Sequence, residues 1–498
     1  MSPYQLFRLA RLVLLMLLGA VFLSLARGRP LSGRWRLFVL AVLAIAALGY
    51  VNFGFFHPGR GHVHYWDAFH YFMGAKYLPE LGYSKLYEAT YAAGRELGAF
   101  DYVTHLRDLE TYALREVSSV DQSAVRNRFR PERWEAFKRD LAYWGPHINE
   151  WRGLLQDHGY NDPPPRALVL HLLLRGIPAN SVTVTALSSL DYLLVAAAFM
   201  AVRWGFGELP AALAGAFFFL SSLARFDFIG GSIVRWDWIA AMLAALSLFA
   251  RGWGAVAGAL LGYAALARIF PLLFLLPLGV KWLQGRLGRA RDPVLFRCLA
   301  AAAAVLALAA LGVVAVGDER SHLHEYGLKI QRHGEAGFVN TVGLGPLIAM
   351  QTAPWSQGAD GRVYVAHGAL LAARPSGRLI AIASALYVLA ALPLILRARP
   401  LESVMYAVPL VFCALSLTGY YYSFLVLLVL LPWRDGRADP LRLVGMAFLT
   451  AIMAVGYGFE LVSDELLPLF HAASLQLALF FLLWLAFEYV RGLRPKHL

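Results

Sequence analysis

The chain has 498 residues, 59% of them hydrophobic and only 15% charged, against about 45–50% apolar and about 25% charged in an ordinary soluble protein. That composition excludes a row of soluble domains and implies one helical membrane body with a water-exposed insertion. The formal charge of +13 sits on arginines between apolar runs, which fits loops that orient a membrane protein and speaks against a nucleic-acid surface.

A bilayer core of about 30 Å takes about 20 apolar residues per helix. Spans are expected near residues 9–26, 36–56, 182–202, 209–223, 236–250, 254–267, 270–285, 297–316, 377–396, 403–418, 419–433, 442–458 and 469–490, about thirteen in all. The first has no small-residue cleavage site and is followed by Arg27, Arg29, Arg34 and Arg36, so it reads as a retained helix and not a signal peptide. Those arginines, with Arg203, Arg251, the group from Lys281 to Arg297, Arg397 and Arg399, Arg434 to Arg442, and Arg491 to Lys496, fall in alternate loops. The positive-inside rule makes those loops cytoplasmic. The N-terminus and residues 57–181 and 317–376 are then expected on the periplasmic side of a bacterial inner membrane, and the C-terminus in the cytoplasm.

The expected architecture is an all-α polytopic membrane protein in five parts. These are two N-terminal helices (1–56), a large helical periplasmic loop (57–181), a transmembrane group (182–316), a second periplasmic loop (317–376) and a C-terminal transmembrane group (377–498). Cys298 and Cys413 lie inside apolar runs and supply no disulfide framework.

The first outer loop is too long to be a connector. From Ala68 to Leu81 the apolar residues Phe69, Phe72, Met73 and Tyr77 fit a short helix on the membrane surface, with Gly82 available to end it. Residues 92–117 and 131–158 read as soluble helices, and Ala167 to Leu174, after Pro163 to Pro165, as a second interfacial helix. No Walker loop, dinucleotide fingerprint, CxxC pair or GxSxG elbow is present, so the chemistry must lie in the outer loops.

Asp67 is the first acid after the second span, in HVHYWDAFHYF. A carboxylate at the lipid surface can take the proton of an acceptor hydroxyl as a sugar arrives; it can also simply cap the helix beginning at Ala68. His64 and His70 flank it, with Tyr65, Trp66 and Tyr71 as an aromatic belt; they suit phosphate or substrate contacts, and their spacing matches no standard metal set. Arg225, Arg235 and Arg268 stand at outer turns against the trend that puts arginine inside, where a planar fork can hold a lipid phosphate. Snorkelling, or pairing of the first two with Asp227 and Asp237, is the structural alternative. The second outer loop carries His322, His324, Lys329, Arg332, His333 and Asn340; His333 and Asn340 are expected at the surface because Phe338 to Met350 is apolar enough to return to the membrane. Asp191, inside the third span, needs a partner or water.

With these residues, the chain resembles the GT-C superfamily of integral-membrane glycosyltransferases, and within it the polyprenyl-phosphate-mannose-dependent mannosyltransferases. The likeness rests on Asp67 early in the first outer loop, on YNDPPPRALVLHLLL, on AGALLGYAALARIFPLLFLLP ending in Arg268 and proline, and on HGEAGFVNTVGLG. Gly231-Ser232 departs from the family's usual Gly-Gln. The resemblance implies a polyprenyl-phosphate-sugar donor, a lipid or glycan acceptor and Asp67 as base. Arg268, with His333, Arg235 and Arg225, would hold the donor phosphate, and His64, His70, Tyr71 and Asn340 would line the substrate site. No nucleotide, cofactor or obligatory metal is called for. The reading from another class is a transporter or flippase in which Asp67, Asp191 and the outer arginines line a pathway.

Overall fold

The computed structural model describes residues 2–28, 33–57, 61–335, 339–357, 363–365, 367–433, 437–463 and 465–493. Arg29, Arg434, Arg494, Lys496 and Phe338, which entered the reading above, lie outside the described residues. The chain is mostly helical, with only short two-stranded pairings.

Among the described residues, seven helices are long and apolar enough to cross a membrane: Pro3–Ala26, Gly33–Tyr50, Ser181–Phe206, Pro293–Val316, Gly377–Arg397, Pro440–Val462 and Leu466–Gly492. They fall on seven of the thirteen expected spans. The other six fall on shorter helical pieces, among them Glu208–Leu220, Asp237–Ala250 and Gly254–Ala267. At 1.5 Å per residue, a helix of 14 residues rises only about 21 Å, short of the bilayer core. An apolar run shows that a segment avoids water, and not that it is one unbroken helix. Some of the short pieces are the more buried ones: most residues of Glu208–Leu220 and Asp237–Ala250 are buried, whereas Pro293–Val316 is mostly open on its flanks.

Residues 63–184 build a second apolar core, which also takes in Ile233 and Tyr326. The helix Tyr65–Lys76 runs through it, buried from Ala68 to Lys76, so it is not the surface-lying helix expected at 68–81. Its apolar residues are too many for one stripe, and Trp144, Trp151 and Tyr160 cover the other sides. After Lys76 a separate turn, Leu78–Leu81, ends at Gly82 with φ +55°. The expected helix at 92–117 is also corrected. Gly98 (φ +73°) follows the helix Leu86–Glu96, and a hairpin pairs His105–Arg107 with Leu114–Glu116, turned by Asp108, whose carboxylate takes the Glu110 and Thr111 N–H groups. Pro131–Trp144 is helical as expected. Pro164–Leu174 buries Ala167, Leu170 and Leu174 and turns Val169, Leu172 and Leu173 outward, an apolar face suited to an interface.

Candidate functional site

The placement of Asp67 begins with a glycine. The His64 N–H donates to the Gly231 carbonyl at 2.9 Å, and Gly231 has φ +74°; a Cβ there would lie 1.6 Å from the His62 carbonyl oxygen. Only glycine lets the two segments approach this closely. His64 then caps the helix Tyr65–Lys76, its Nδ1 accepting the Asp67 N–H at 3.2 Å. Asp67 is therefore not the cap but a first-turn residue, at the positive end of the helix.

The carboxylate of Asp67 bridges two segments. Its Oδ2 accepts the Ser232 hydroxyl and faces Arg235 Nε at 3.1 Å. Among the described residues no donor reaches Oδ1, and the side chain keeps 19% exposure.

One turn on, Tyr71 shares the face of Asp67 and is a floor for three buried arginines. The guanidinium carbon of Arg235 stands 4.1 Å from the ring centroid, that of Arg268 5.9 Å and that of Arg166 6.0 Å. Arg235 Nη2 donates to the Tyr420 hydroxyl at 2.8 Å. Arg268 Nη1 donates to Asp162 Oδ1 at 2.6 Å, and Arg166 is held by Asp162 and by Asp237 at 2.9 Å. Asp162 is fully buried, with its backbone carbonyl bound by the Tyr83 hydroxyl. Arg235 Nη1, Arg268 Nε and Arg268 Nη2 are buried and have no partner among the described residues. A buried donor left without an acceptor costs about 1–3 kcal/mol. Three such donors above one ring describe a seat for an acceptor-rich anion.

The arginine pairings differ from those the spacing suggests. Arg225 pairs with Glu460, at the end of Pro440–Val462, and lies over Phe228, apart from the arginines over Tyr71. Asp227 accepts from Asn52, Asp237 takes Arg166, and Arg268, with no acid near it in sequence, finds Asp162 from 106 residues away. Among the described residues Asp191 pairs with no arginine side chain; it accepts the main-chain N–H groups of Arg235 and Trp236 at 2.9 and 3.0 Å.

His70 does not face the arginines either. Its Nδ1–H donates to the Trp66 carbonyl at 2.8 Å and its Nε2 accepts from the Tyr87 hydroxyl at 2.7 Å; burial lowers its pKa. Both ring nitrogens are engaged in these bonds. His333 lies on the amphipathic helix Leu323–Glu335 beside Tyr112 and His158, with Nδ1 3.2 Å from the Tyr112 hydroxyl. Burial, with His158 and Lys329 nearby, pushes its pKa down to about 3. Asn340 comes close by its backbone: its carbonyl accepts the Gly419 N–H at 2.9 Å, ahead of the strand pair Thr341–Val342 with Leu417–Thr418, which leads directly into Tyr420. Among the described residues, no group of three His, Cys, Asp or Glu side chains is placed to hold a metal ion.

Ser232, Asp162, Arg166 and Tyr420 belong to the site and were not singled out from the sequence. The signal for Asp162 and Arg166 was the YNDPPPR segment itself, an acid and an arginine four residues apart ahead of an apolar helix. No family model, curated protein or solved structure matches the chain.

Proposed function

We propose that this membrane protein is a glycosyltransferase of the GT-C kind, which moves a sugar from a polyprenyl-phosphate donor to an acceptor hydroxyl. The observation that carries the reading is the meeting of Asp67, with one carboxylate oxygen open, and the unfilled guanidinium donors of Arg235 and Arg268 around the ring of Tyr71. A base and an anion seat within one site are the two parts that displacement of a phosphate by a hydroxyl calls on.

In this reading the donor phosphate takes the free nitrogens of Arg235 and Arg268. The acceptor oxygen forms a bond to the anomeric carbon on the face opposite the phosphate. The carbon–oxygen bond to the phosphate breaks, its electron pair leaves with the phosphate, and the acceptor proton passes to Asp67 Oδ1. Ser232 and the Arg235 Nε side fix Oδ2, so that Oδ1 is the oxygen presented. The leaving group is already a weak base, so stabilising its charge contributes more than protonating it. A periplasmic site in a bacterial inner membrane, from the arginine distribution, belongs to the same proposal.

The test is purified protein in lipid with labelled polyprenyl-phosphate-mannose and polyprenyl-phosphate-glucose, beside Asp67→Asn, following release of sugar from the carrier. Release by the wild type and not by the variant supports the class and the base together. Neither release nor donor binding by the wild type sinks the reading and favours the transporter.

A further inference from the structure

Ser232 and Arg235 both meet Asp67, yet the stretch that carries them, between the short helix Phe226–Ile229 and the helix starting at Asp237, is irregular. Something outside that stretch must fix its shape. Val234, immediately before Arg235, has φ +49°, a left-handed conformation that is a genuine outlier for a β-branched residue. Such a conformation persists only where the surroundings over-determine it.

Two neighbours do so. Arg166 Nη2 donates to the Val234 carbonyl. On the other side Asp191, 1% exposed within the long helix Ser181–Phe206, takes the N–H of Arg235 on Oδ2 and the N–H of Trp236 on Oδ1. A carboxylate inside a membrane-spanning helix is costly to keep, and this one spends one oxygen on the main chain of Arg235, which faces Asp67, and the other on that of the next residue, Trp236. Its side chain reaches neither the base nor the free guanidinium nitrogens.

We infer that Asp191 is a positioning residue: its carboxylate clamps the left-handed turn at Val234 and thereby stands Arg235 between Asp67 and Tyr420. The inference rests on the transferase reading for what Arg235 does, and on the turn alone for the clamp. Asparagine at 191 keeps one oxygen acceptor where the turn needs two. Glycine at 234 adopts the left-handed conformation without steric cost, so it removes what the clamp has to oppose.

The experiment uses four full-length proteins in lipid: wild type, Asp191→Asn, Val234→Gly and the double variant. Each is read for binding of labelled polyprenyl-phosphate-mannose and for its thermal unfolding midpoint. Asp191→Asn is expected to weaken donor binding about tenfold, a loss in the range that one strained backbone position commands. The double variant is expected to recover most of that loss. Recovery is the readout that a merely structural acid would not give, since glycine adds no packing. A double variant as poor as Asp191→Asn, or Asp191→Asn with unchanged donor affinity, overturns the inference. Should the wild type bind no donor, the transferase reading falls and the positioning of Arg235 with it; a recovered unfolding midpoint in the double variant would then support the clamp alone.

Discussion

Ser232 donates its hydroxyl to the same oxygen of Asp67 that faces Arg235, so two neighbours use Oδ2 and leave Oδ1 open. A carboxylate held by one oxygen is oriented without being silenced. Asp67→Asn should therefore lower turnover by roughly 10²–10⁴-fold, the usual contribution of a general base, with donor affinity kept. Ser232→Ala should lower turnover about tenfold by loosening a charge-assisted hydrogen bond of about 1.5–3 kcal/mol. Single-turnover rates beside equilibrium donor binding check both; a variant in which binding falls and the rate does not would reverse the assignment.

Arg268→Lys keeps the charge opposite Asp162 and loses the fork. Lysine has one nitrogen where arginine offers Nε and Nη2 to an anion. The same substitution at Arg235 also leaves Tyr420 and Asp67 without a shared partner. Each is expected to lower sugar release by roughly 10²-fold, the scale of losing one preorganised donor to the developing charge. Arg225→Lys, which touches Glu460 and not this cluster, should leave release unchanged. Initial rates at saturating and limiting donor distinguish the three.

Asp162 is the hinge of the buried charges, with Arg166 on one oxygen and Arg268 on the other. Asp162→Ala removes the carboxylate that pairs directly with both, and breaking a buried pair from one side costs about 3–5 kcal/mol. A fall in the thermal unfolding midpoint, with loss of donor binding in the fraction still folded, is the expected outcome. An unchanged midpoint would show that water replaces the carboxylate.

Part of this site was legible in sequence and part was not, for physical reasons. Asp67 and Tyr71 declare themselves because they are four residues apart on one helix beside a membrane span. Arg235 and Arg268 declare themselves because they stand outside the alternate loops in which the other arginines gather. Asp162, Ser232 and Tyr420 reach the cluster through contacts across 106, 165 and 185 residues, and no local pattern records such a meeting. The partners that His70 and His333 already hold were not legible either, because residue type shows the capacity to bind and not whether that capacity is already used.

Gly231 gives a test of how Asp67 is held. Alanine there meets the His62 carbonyl at 1.6 Å and keeps φ +74° only under strain, of about 1–2 kcal/mol before the clash is counted. The segment His62–His64 must move, and the helix start that carries Asp67 with it. Gly231→Ala should lose at least about tenfold in turnover, whereas Gly312→Ala, whose Cβ meets nothing within 4 Å, should lose none. Equal activity in the two would show that Asp67 does not depend on this contact.

Lys329 carries the pH prediction. It is 2% exposed, donates to the Tyr83 carbonyl at 2.8 Å, and burial pushes its pKa down to about 7. The unfolded chain, with an ordinary lysine near 10.4, then binds more protons than the folded one between those two values. Stability therefore rises with pH across that window, and below about pH 7 both states are protonated and the penalty is constant. Lys329→Met should raise the unfolding midpoint at pH 7, where the wild type must hold a charge in an apolar site or give up its proton, and the advantage should shrink steadily toward pH 10. An advantage that stays the same across that range would mean that the lysine is solvated in the fold and that its burial carries no charge penalty.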